Sequence, residues 1–288
     1  MKTGLESLIF PMKLTQYRKH FLGNEPFMVQ NTGEKIQEML SLSFLTDVEA
    51  LLSEWPKSVS VHLPDLRDEA SSIDTDVQSA MKYFKEGMSL LFNDAQFLSP
   101  VMDEWLQEIR KDLGISALTY VRNLIYATPD GQGTAPHFDQ NINFVLQVRG
   151  TKKWTVAANT HVMNPMTRHT MGQPADPEMM TYLEVPLPHA MPAETKSFEL
   201  KPGCVLFVPR GCWHSTEAEG DALSLNFTFT APTWVDLLTA ALRGRLIQSA
   251  GWRETADLSE EKFSLLLGQL VEDLPNWKAG DILGATEA

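Results

Sequence analysis

Short apolar runs with strand character occupy the chain between residues 118 and 230. Runs of four to eight residues rich in Val, Ile, Leu and Phe, bounded by Gly, Pro, Asn or Asp, are typical of β-strands. The last run alternates apolar and polar positions, so one face of that strand is apolar. The centre of the chain therefore predicts a mainly β domain, with strands at residues 118–128, 144–148, 152–156, 205–208 and 222–230.

Apolar residues at three- and four-residue spacing, which indicate amphipathic helices, flank this region on both sides. Additional strands are predicted at 27–30 (an edge strand), 58–63 and 87–92, and helices at 34–40, 45–55, 77–84, 99–113, 233–250 and 259–274. The chain then divides into three parts. These are an N-terminal segment (1–80) packed on the core, the core itself (81–232) and C-terminal helices (233–288).

Several connections are predicted from turn and charge signals. Arg149, Gly150 and Thr151 indicate a hairpin turn, and residues 215–221 indicate another turn. The acidic stretch 65–76 is expected to be a solvated loop or helix start without a functional role, and His62 a surface or hydrogen-bonded histidine. Residues 157–197, rich in Pro and Met, exceed ordinary loop length. They are a candidate substrate lid, with a partly ordered surface loop as the alternative.

Two polar residues at a predicted strand start, His137 and Asp139, are separated by one position. Strand side chains alternate with a period of two, so both point to one face and can bind one metal ion. An isolated H-x-D triplet is more often a hydrogen-bonded pair than a metal site. Here a third ligand is predicted, because a late apolar strand ends in a Pro-Gly bend with His214 beyond it.

Two imidazoles and one carboxylate leave three coordination positions free, which is the arrangement of non-haem Fe(II) oxygenases. Zinc sites with such ligands more often fix a single water. Lys152 follows where a carboxylate-bearing co-substrate on the metal would need a counter-charge. The residues therefore predict an open iron site with a lysine beside it. The histidines at 161, 169 and 189 lie on no strand with a partner at ligand spacing.

The overall charge bears on possible partners. The chain has 24 basic and 37 acidic residues, a net charge of -13 and a pI near 5.0. Such a surface repels phosphate backbones, so no direct nucleic-acid binding is expected; a basic protein segment would suit it, although acidity also serves solubility. No apolar run approaches a membrane span. A secretory signal is not expected, and two cysteines without a disulfide framework suit a reducing cytoplasm.

Several features together carry a resemblance to a known family. They are the H-x-D triplet, Gln147 in the following strand, Gly150 with Lys152, the PGxxLFVP strand, and the Trp-His pair that ends at His214. On these features, the segment from about residue 83 to residue 232 resembles the JmjC-type, cupin-like Fe(II)- and 2-oxoglutarate-dependent oxygenases. It is most similar to the branch that contains ribosomal-protein hydroxylases and the asparaginyl hydroxylase that inhibits hypoxia-inducible factor. Cys204 stands where the family usually has Asp, at a position that shapes a turn.

The resemblance implies a double-stranded β-helix (cupin or jelly-roll) core with helical N- and C-terminal additions. It assigns His137, Asp139 and His214 to Fe(II), and Lys152 to the distal carboxylate of 2-oxoglutarate. It places five further residues around the co-substrate: Thr134, Asn143, Asn226, Tyr126 and Asn123.

The implied reaction consumes 2-oxoglutarate and O2, releases succinate and hydroxylates a substrate C–H bond. A protein or peptide side chain is the predicted substrate, ahead of a free amino acid or other small metabolite, with lysine demethylation third. A metal-binding cupin without oxygenase activity and a structural interaction protein with a relic triad are the alternatives from other classes. The C-terminal helices correspond to a dimer bundle in ribosomal-protein hydroxylases, so a homodimer is expected. The winged-helix domain that follows in those proteins is expected to be absent or reduced.

Overall fold

The structure is a computed structural model that describes residues 3–257, 259–278 and 280. Its contacts divide the chain into two units. One comprises residues 1–113 and 120–230, and the other comprises residues 114–119 and 231–288. The three-part division predicted from the sequence stays a prediction.

Helices flank the strands as predicted, and polar side chains cap several of them. Asp47, Asp76 and Ser259 each accept a hydrogen bond from a backbone N–H in the first turn of the helix that follows. The helices are α1 (Leu5–Leu8), α2 (Leu14–Leu22), α3 (Glu34–Leu40), α4 (Val48–Glu54), α5 (Val77–Lys85), α6 (Pro100–Leu113), α7 (Pro177–Met180), α8 (Trp234–Leu246) and α9 (Glu260–Asp273).

The strands of the first unit form one antiparallel sheet in the order β1-β10-β7-β11-β5-β4-β2-β3, with β6 and β9 pairing onto β11 and β7. These strands are β1 (Phe27–Gln30), β2 (Val59–His62), β3 (Ser72–Thr75), β4 (Leu90–Phe92), β5 (Tyr120–Thr128), β6 (His137–Phe138), β7 (Ile142–Ala157), β8 (His169–Thr170), β9 (Thr195–Leu200), β10 (Cys204–Val208) and β11 (Trp213–Thr230). The mainly β, cupin-like core with helical additions is confirmed, and β1 lies at the sheet edge.

Two long strands organise the core, and they correct two of the predicted turns. β7 runs unbroken through residues 149–151, and β11 runs unbroken through residues 215–221, so neither stretch is a hairpin turn. Instead the two strands pair with each other along most of their length, with a register shift between Glu219 and Leu223. The other partner of β7 changes at this point from β10 to β9. The glycine signal therefore marks a β-bulge, where a strand bends to join different neighbours.

Gly150 is the residue that this bend requires. Its φ of 64° is in the left-handed region, and a Cβ atom there would collide with the backbone of Asp221 and Ala222. Gln147 secures the bulge, because its side-chain amide donates to the carbonyl of Arg149 at 2.6 Å and accepts from Ser224 Oγ at 2.8 Å. Gln147 therefore supports the strand that carries Lys152.

The two faces of β11 serve different purposes. Leu223, Leu225, Phe227 and Phe229 are all buried on one face, as the alternation predicts. Trp105 of α6 packs near Phe227, with 6.1 Å between ring centroids. The opposite face carries the buried polar residues Ser224, Asn226 and Thr228. Of these polar residues, Ser224 and Asn226 line a cavity.

The segment 157–197 is packed against the sheet by its own apolar cluster. Val162 and Met179 are buried against Phe138 and Trp213, which lie beside the predicted metal ligands in the chain. The short strand β8 pairs with β6. Contacts of this kind fix the segment next to the candidate site; its role as a substrate lid stays a prediction.

Candidate metal centre

The two predicted histidine ligands face each other across paired strands. His137 in β6 is the register partner of His214 at the start of β11. Their ring centroids are 4.1 Å apart, and both side chains are buried. Antiparallel pairing therefore brings His214 next to His137, although the two residues are far apart in sequence. The prediction of His214 as the third ligand requires this proximity.

Backbone carbonyls orient both imidazole rings. His137 Nδ1 lies 2.7 Å from the carbonyl oxygen of Ala135, and His214 Nδ1 lies 2.9 Å from that of Cys212. A carbonyl oxygen only accepts, so each Nδ1 donates and each Nε2 keeps its lone pair. Metal-bound histidines commonly have this hydrogen bond on the second ring nitrogen, because it fixes the tautomer and the ring orientation.

Asp139 completes the group just beyond the end of β6. Its Oδ2 lies 3.7 Å from His214 Nε2, and one ligand atom from each of the three residues lies within 4.8 Å of the others. This is the one such His, Cys, Asp and Glu group within the described ranges. The prediction that one metal ion can reach these three residues is consistent with this geometry.

The donor set fits a divalent metal ion. Burial holds the pKa of His137 well below its ordinary value, so this ring is neutral. Two imidazoles and one carboxylate form the facial set that binds Fe(II) with open positions. The residues present therefore suit iron.

Lys152 lies in the same cavity without a carboxylate partner among the described residues. It is 3% exposed, and its Nζ donates to Thr128 Oγ1 at 2.8 Å. Burial lowers the pKa of Lys152 to about 7. Burial disfavours the charged form of Lys152, and its polar contact among the described residues is a neutral hydroxyl. An anionic ligand would stabilise the ammonium form, so this position favours binding of an anion.

One cavity is lined by the triad, Lys152 and most of the predicted co-substrate residues. Thr134, Asn143 and Asn226 all line it, and the Asn226 side-chain oxygen has no hydrogen-bond partner there. Tyr126 also lines it, but its hydroxyl donates to Glu69 Oε1 at 2.8 Å. Asn123 does not line the cavity, since its amide donates to the backbone carbonyl of Asn226 at 3.2 Å. Asn123 therefore supports β11 from behind.

Three further residues of the cavity wall come from β2 and from its connection to β3, and part of what was expected of this stretch was wrong. Asp68 is fully buried, and Glu69 holds Tyr126, so the acidic stretch is not simply a solvated loop. His62 is buried, and neither ring nitrogen has a hydrogen-bond partner among the described residues. Counting charged residues could not reveal this, because only the fold turns these three side chains inward.

Arg168, from the segment 157–197, is the fourth residue that the sequence reading missed. Its Nε donates to Asp139 Oδ1 at 3.1 Å, and its Nη2 forms a short ion pair with Asp68. The β6–β8 pairing explains this position, because the residue before His169 falls beside the residue after Phe138.

The comparisons with known proteins agree with this geometry. A family model described as the JmjC domain matches residues 102–237. The chain is 29% identical over 277 residues to the uncharacterized protein YxbC of Bacillus subtilis (strain 168), covering 92% of this chain and 84% of that one. It is 27% identical over 256 residues to ribosomal oxygenase 2 of Rattus norvegicus, covering 85% of this chain. This chain spans about half (51%) of the length of that oxygenase.

Solved structures share the fold. The crystal structure of Escherichia coli ribosomal oxygenase YcfD has a TM-score of 0.56 at 18% identity, covering 94% of this chain and 68% of that one. YcfD in complex with cobalt and succinic acid has a TM-score of 0.53 at 16% identity, covering 94% of this chain and 69% of that one. The His-Asp-His group and Lys152 both lie within the matched segment. Together these findings show that residues 102–237 match the JmjC domain and that this chain shares its fold with a ribosomal oxygenase.

Proposed function

We propose that this protein is an Fe(II)- and 2-oxoglutarate-dependent dioxygenase that hydroxylates a side chain of a protein or peptide. The proposal is based on one cavity that contains both a candidate metal-binding group and a buried amine that can bind a carboxylate of 2-oxoglutarate. The Nε2 atoms of His137 and His214 and a carboxylate oxygen of Asp139 converge at one end. Lys152, a buried amine without an anionic partner in the described residues, lies in the same wall.

Each residue has a physical task in that reaction. The chemistry that Fe(II) and 2-oxoglutarate would supply, when bound, is the activation of O2: one oxygen atom converts a substrate C–H bond to C–OH, and the other oxidises 2-oxoglutarate to succinate and CO2. His137, Asp139 and His214 would hold the metal on one side and leave positions open for the co-substrate and O2. Lys152 binds the distal carboxylate and so fixes the direction in which 2-oxoglutarate approaches. The apolar strands around the cavity exclude water, which limits side reactions.

Anaerobic titration tests this function. Purified protein receives Fe(II) and then 2-oxoglutarate, and the weak visible metal-to-ligand charge-transfer band is recorded. We expect the band in the wild type, its loss in His214→Ala, and its retention in His189→Ala, which removes an exposed histidine outside the cavity. Metal binding without the band would favour a metal-binding cupin without oxygenase activity.

A protein substrate is proposed from the relatives, two of which are named ribosomal oxygenases. The net charge of -13 suits a basic protein segment and disfavours a phosphate backbone. A free amino acid is the alternative substrate for the same chemistry. Mass spectrometry of basic peptides and free amino acids after turnover distinguishes the two, since only the true substrate gains one oxygen atom.

We also propose a homodimer formed through the C-terminal helices. α8 exposes Trp234, Val235 and Leu238, and α9 exposes Phe263 and Val271. Contiguous exposed apolar residues of this kind mark interaction surfaces.

We further propose a reducing, cytoplasmic environment, because Cys204 and Cys212 are buried free thiols and Fe(II) is kept reduced there. No helix within the described ranges is long and apolar enough to span a membrane.

A further inference from the structure

A buried network of charged and polar side chains surrounds the carboxylate of Asp139. Arg168 Nε donates to Asp139 Oδ1 at 3.1 Å, and Arg168 Nη1 donates to Thr170 Oγ1 at 2.8 Å. Arg168 Nη2 pairs with Asp68, which also accepts from Thr170 Oγ1 at 2.7 Å. The side chain of Asp68 is 1% exposed, and that of Arg168 is 20% exposed. Arg168 therefore bridges two carboxylates in a fixed, planar arrangement.

The network acts on the two oxygens of Asp139 differently. Oδ1 is held by Arg168, while Oδ2 faces His214 Nε2 at 3.7 Å. Asn143 Nδ2 lies 3.4 Å from Oδ2, at the long end of hydrogen bonding. A carboxylate whose Oδ1 is occupied by a guanidinium group binds a metal through the other oxygen alone. This leaves one more coordination position open than a carboxylate that chelates with both oxygens.

The charges of the network balance near the metal position. Arg168 alone beside Asp139 would repel a divalent cation, but Asp68 supplies a compensating negative charge. Burial acts to raise the pKa of Asp68, but the charge of Arg168 and the hydrogen bonds from Thr170 and Arg168 act against it. The pKa of Asp68 is lowered on balance, so Asp68 stays ionised beside the guanidinium group. The three groups together carry one net negative charge, which is the charge that a single carboxylate ligand contributes.

We propose that Arg168 is a positioning residue that holds Asp139 as a one-oxygen ligand, and that Asp68 neutralises Arg168 so that metal binding is not weakened. This rests on the proposed function and deepens it: the segment 157–197 completes the metal centre from outside the H-x-D and late-histidine motifs. Arg168 contacts neither the co-substrate nor the metal in this role. It acts through the orientation of Asp139.

A matched control separates this role from anchoring of the segment. Arg210, between β10 and β11, donates from Nε and Nη2 to the carbonyl of Pro165 at 3.1 and 2.8 Å. It therefore also ties the segment to the core, through the carbonyls of Asn164 and Pro165. Arg210→Gln weakens this anchoring, whereas Arg168→Gln also removes the donor to Asp139 Oδ1.

The test measures Co(II) affinity anaerobically by calorimetry and the Co(II) d–d absorption spectrum in the full chain. Arg168→Gln is expected to weaken Co(II) binding by about 10- to 100-fold, the range found when groups that orient metal ligands are removed. Its d–d spectrum should shift, because Asp139 can then bind through both oxygens. Arg210→Gln should stay within about twofold of the wild type, with an unchanged spectrum.

Asp68→Asn provides a second, isosteric variant if Arg168→Gln does not fold. It leaves the Arg168 charge unbalanced, so Co(II) affinity should fall by a similar factor. The double variant Asp68→Asn/Arg168→Gln should bind no more weakly than Asp68→Asn alone, since removing the cation relieves the repulsion. Additive losses in this cycle would overturn the charge-balance argument.

The remaining outcomes are also decisive. Unchanged affinity and spectrum in Arg168→Gln would refute the positioning role while leaving the proposed function intact. Equal losses in Arg168→Gln and Arg210→Gln, without a spectral shift, would reduce Arg168 to a segment anchor. Failure of the wild type to bind Co(II) or Fe(II) would overturn the proposed function itself, and the inference with it.

Discussion

At the scale of single residues, the site depends on hydrogen bonds that fix protonation. The carbonyls of Ala135 and Cys212 hold the Nδ1 protons of His137 and His214, so both Nε2 atoms are available. Because the ligand set is only three residues, loss of any one leaves too few donors to retain Fe(II).

His137→Ala and Asp139→Ala should therefore abolish metal binding and turnover, measured by Fe(II) calorimetry and succinate production. His169→Ala is the matched control, since His169 is buried beside Phe138 but does not line the cavity. Full co-substrate decarboxylation by Asp139→Ala would contradict the assigned ligand role.

Lys152 gives a prediction about pH. Its pKa is about 7 in the free protein, and a bound carboxylate raises it. Above pH 7, binding of 2-oxoglutarate then takes up one proton, so rising pH opposes binding. The dissociation constant for 2-oxoglutarate should be constant below pH 7 and rise about tenfold per pH unit above it, until the pKa of the bound state is passed.

Lys152→Arg should bind 2-oxoglutarate with little pH dependence in this range, because a guanidinium group stays protonated. Lys152→Ala should chiefly raise the 2-oxoglutarate requirement. Lys153→Ala, at the exposed neighbouring position, should keep the wild-type pH profile. A flat wild-type profile would show that another group binds the distal carboxylate.

His62 gives a prediction about stability. A buried imidazole without hydrogen-bond partners costs on the order of 1–3 kcal/mol. His62→Phe should therefore raise the melting temperature of the ligand-free protein by roughly 2–4 °C for each kcal/mol recovered. If His62 contacts the substrate, the same variant should lose turnover; a lower melting temperature would instead indicate that the imidazole is satisfied in solution.

At the scale of elements, the bulge shared by β7 and β11 lets both strands serve two sets of neighbours. Gly150 and Gly220 both have positive φ, of 64° and 69°. A Cβ at Gly150 meets backbone, whereas a Cβ at Gly220 meets nothing within 4 Å. Alanine substitutions at the two glycines therefore distinguish the cost of backbone strain from the cost of steric collision.

Gly220→Ala should lower the free energy of unfolding by about 1 kcal/mol, the cost of a left-handed conformation alone. Gly150→Ala should cost clearly more, by about 3 kcal/mol or above, because the strands must also move apart. Urea unfolding measures both. If both variants lose the same free energy of unfolding, the collision at residue 150 is relieved without cost.

At the scale of the whole molecule, the proposed homodimer depends on the exposed apolar residues of α8 and α9. Phe263→Glu and Val271→Glu should convert a dimer to a monomer in size-exclusion chromatography with light scattering, because charge opposes burial of that face. Leu22→Asp, at an exposed apolar position of α2, is the control and should leave the mass unchanged. A monomeric wild type would remove the dimer proposal.

The sequence by itself determined the features that depend on local spacing. Alternation predicted the strands, and the H-x-D triplet, Lys152 and the late histidine predicted residues that line one cavity. These succeed because side-chain direction on a strand is fixed by the position of each residue relative to its neighbours.

Only the tertiary structure decided the rest. Gly150 signals a change of backbone direction, but pairing with β11 makes it a bulge instead of a hairpin. Arg168 and Asp68 are 100 positions apart in sequence, and each belongs to a stretch with ordinary polar composition. Their meeting at Asp139 depends on how β6, β8 and the β2–β3 connection pack around one cavity. Such long-range contacts leave no periodic signal in the chain, so the fold alone reveals them.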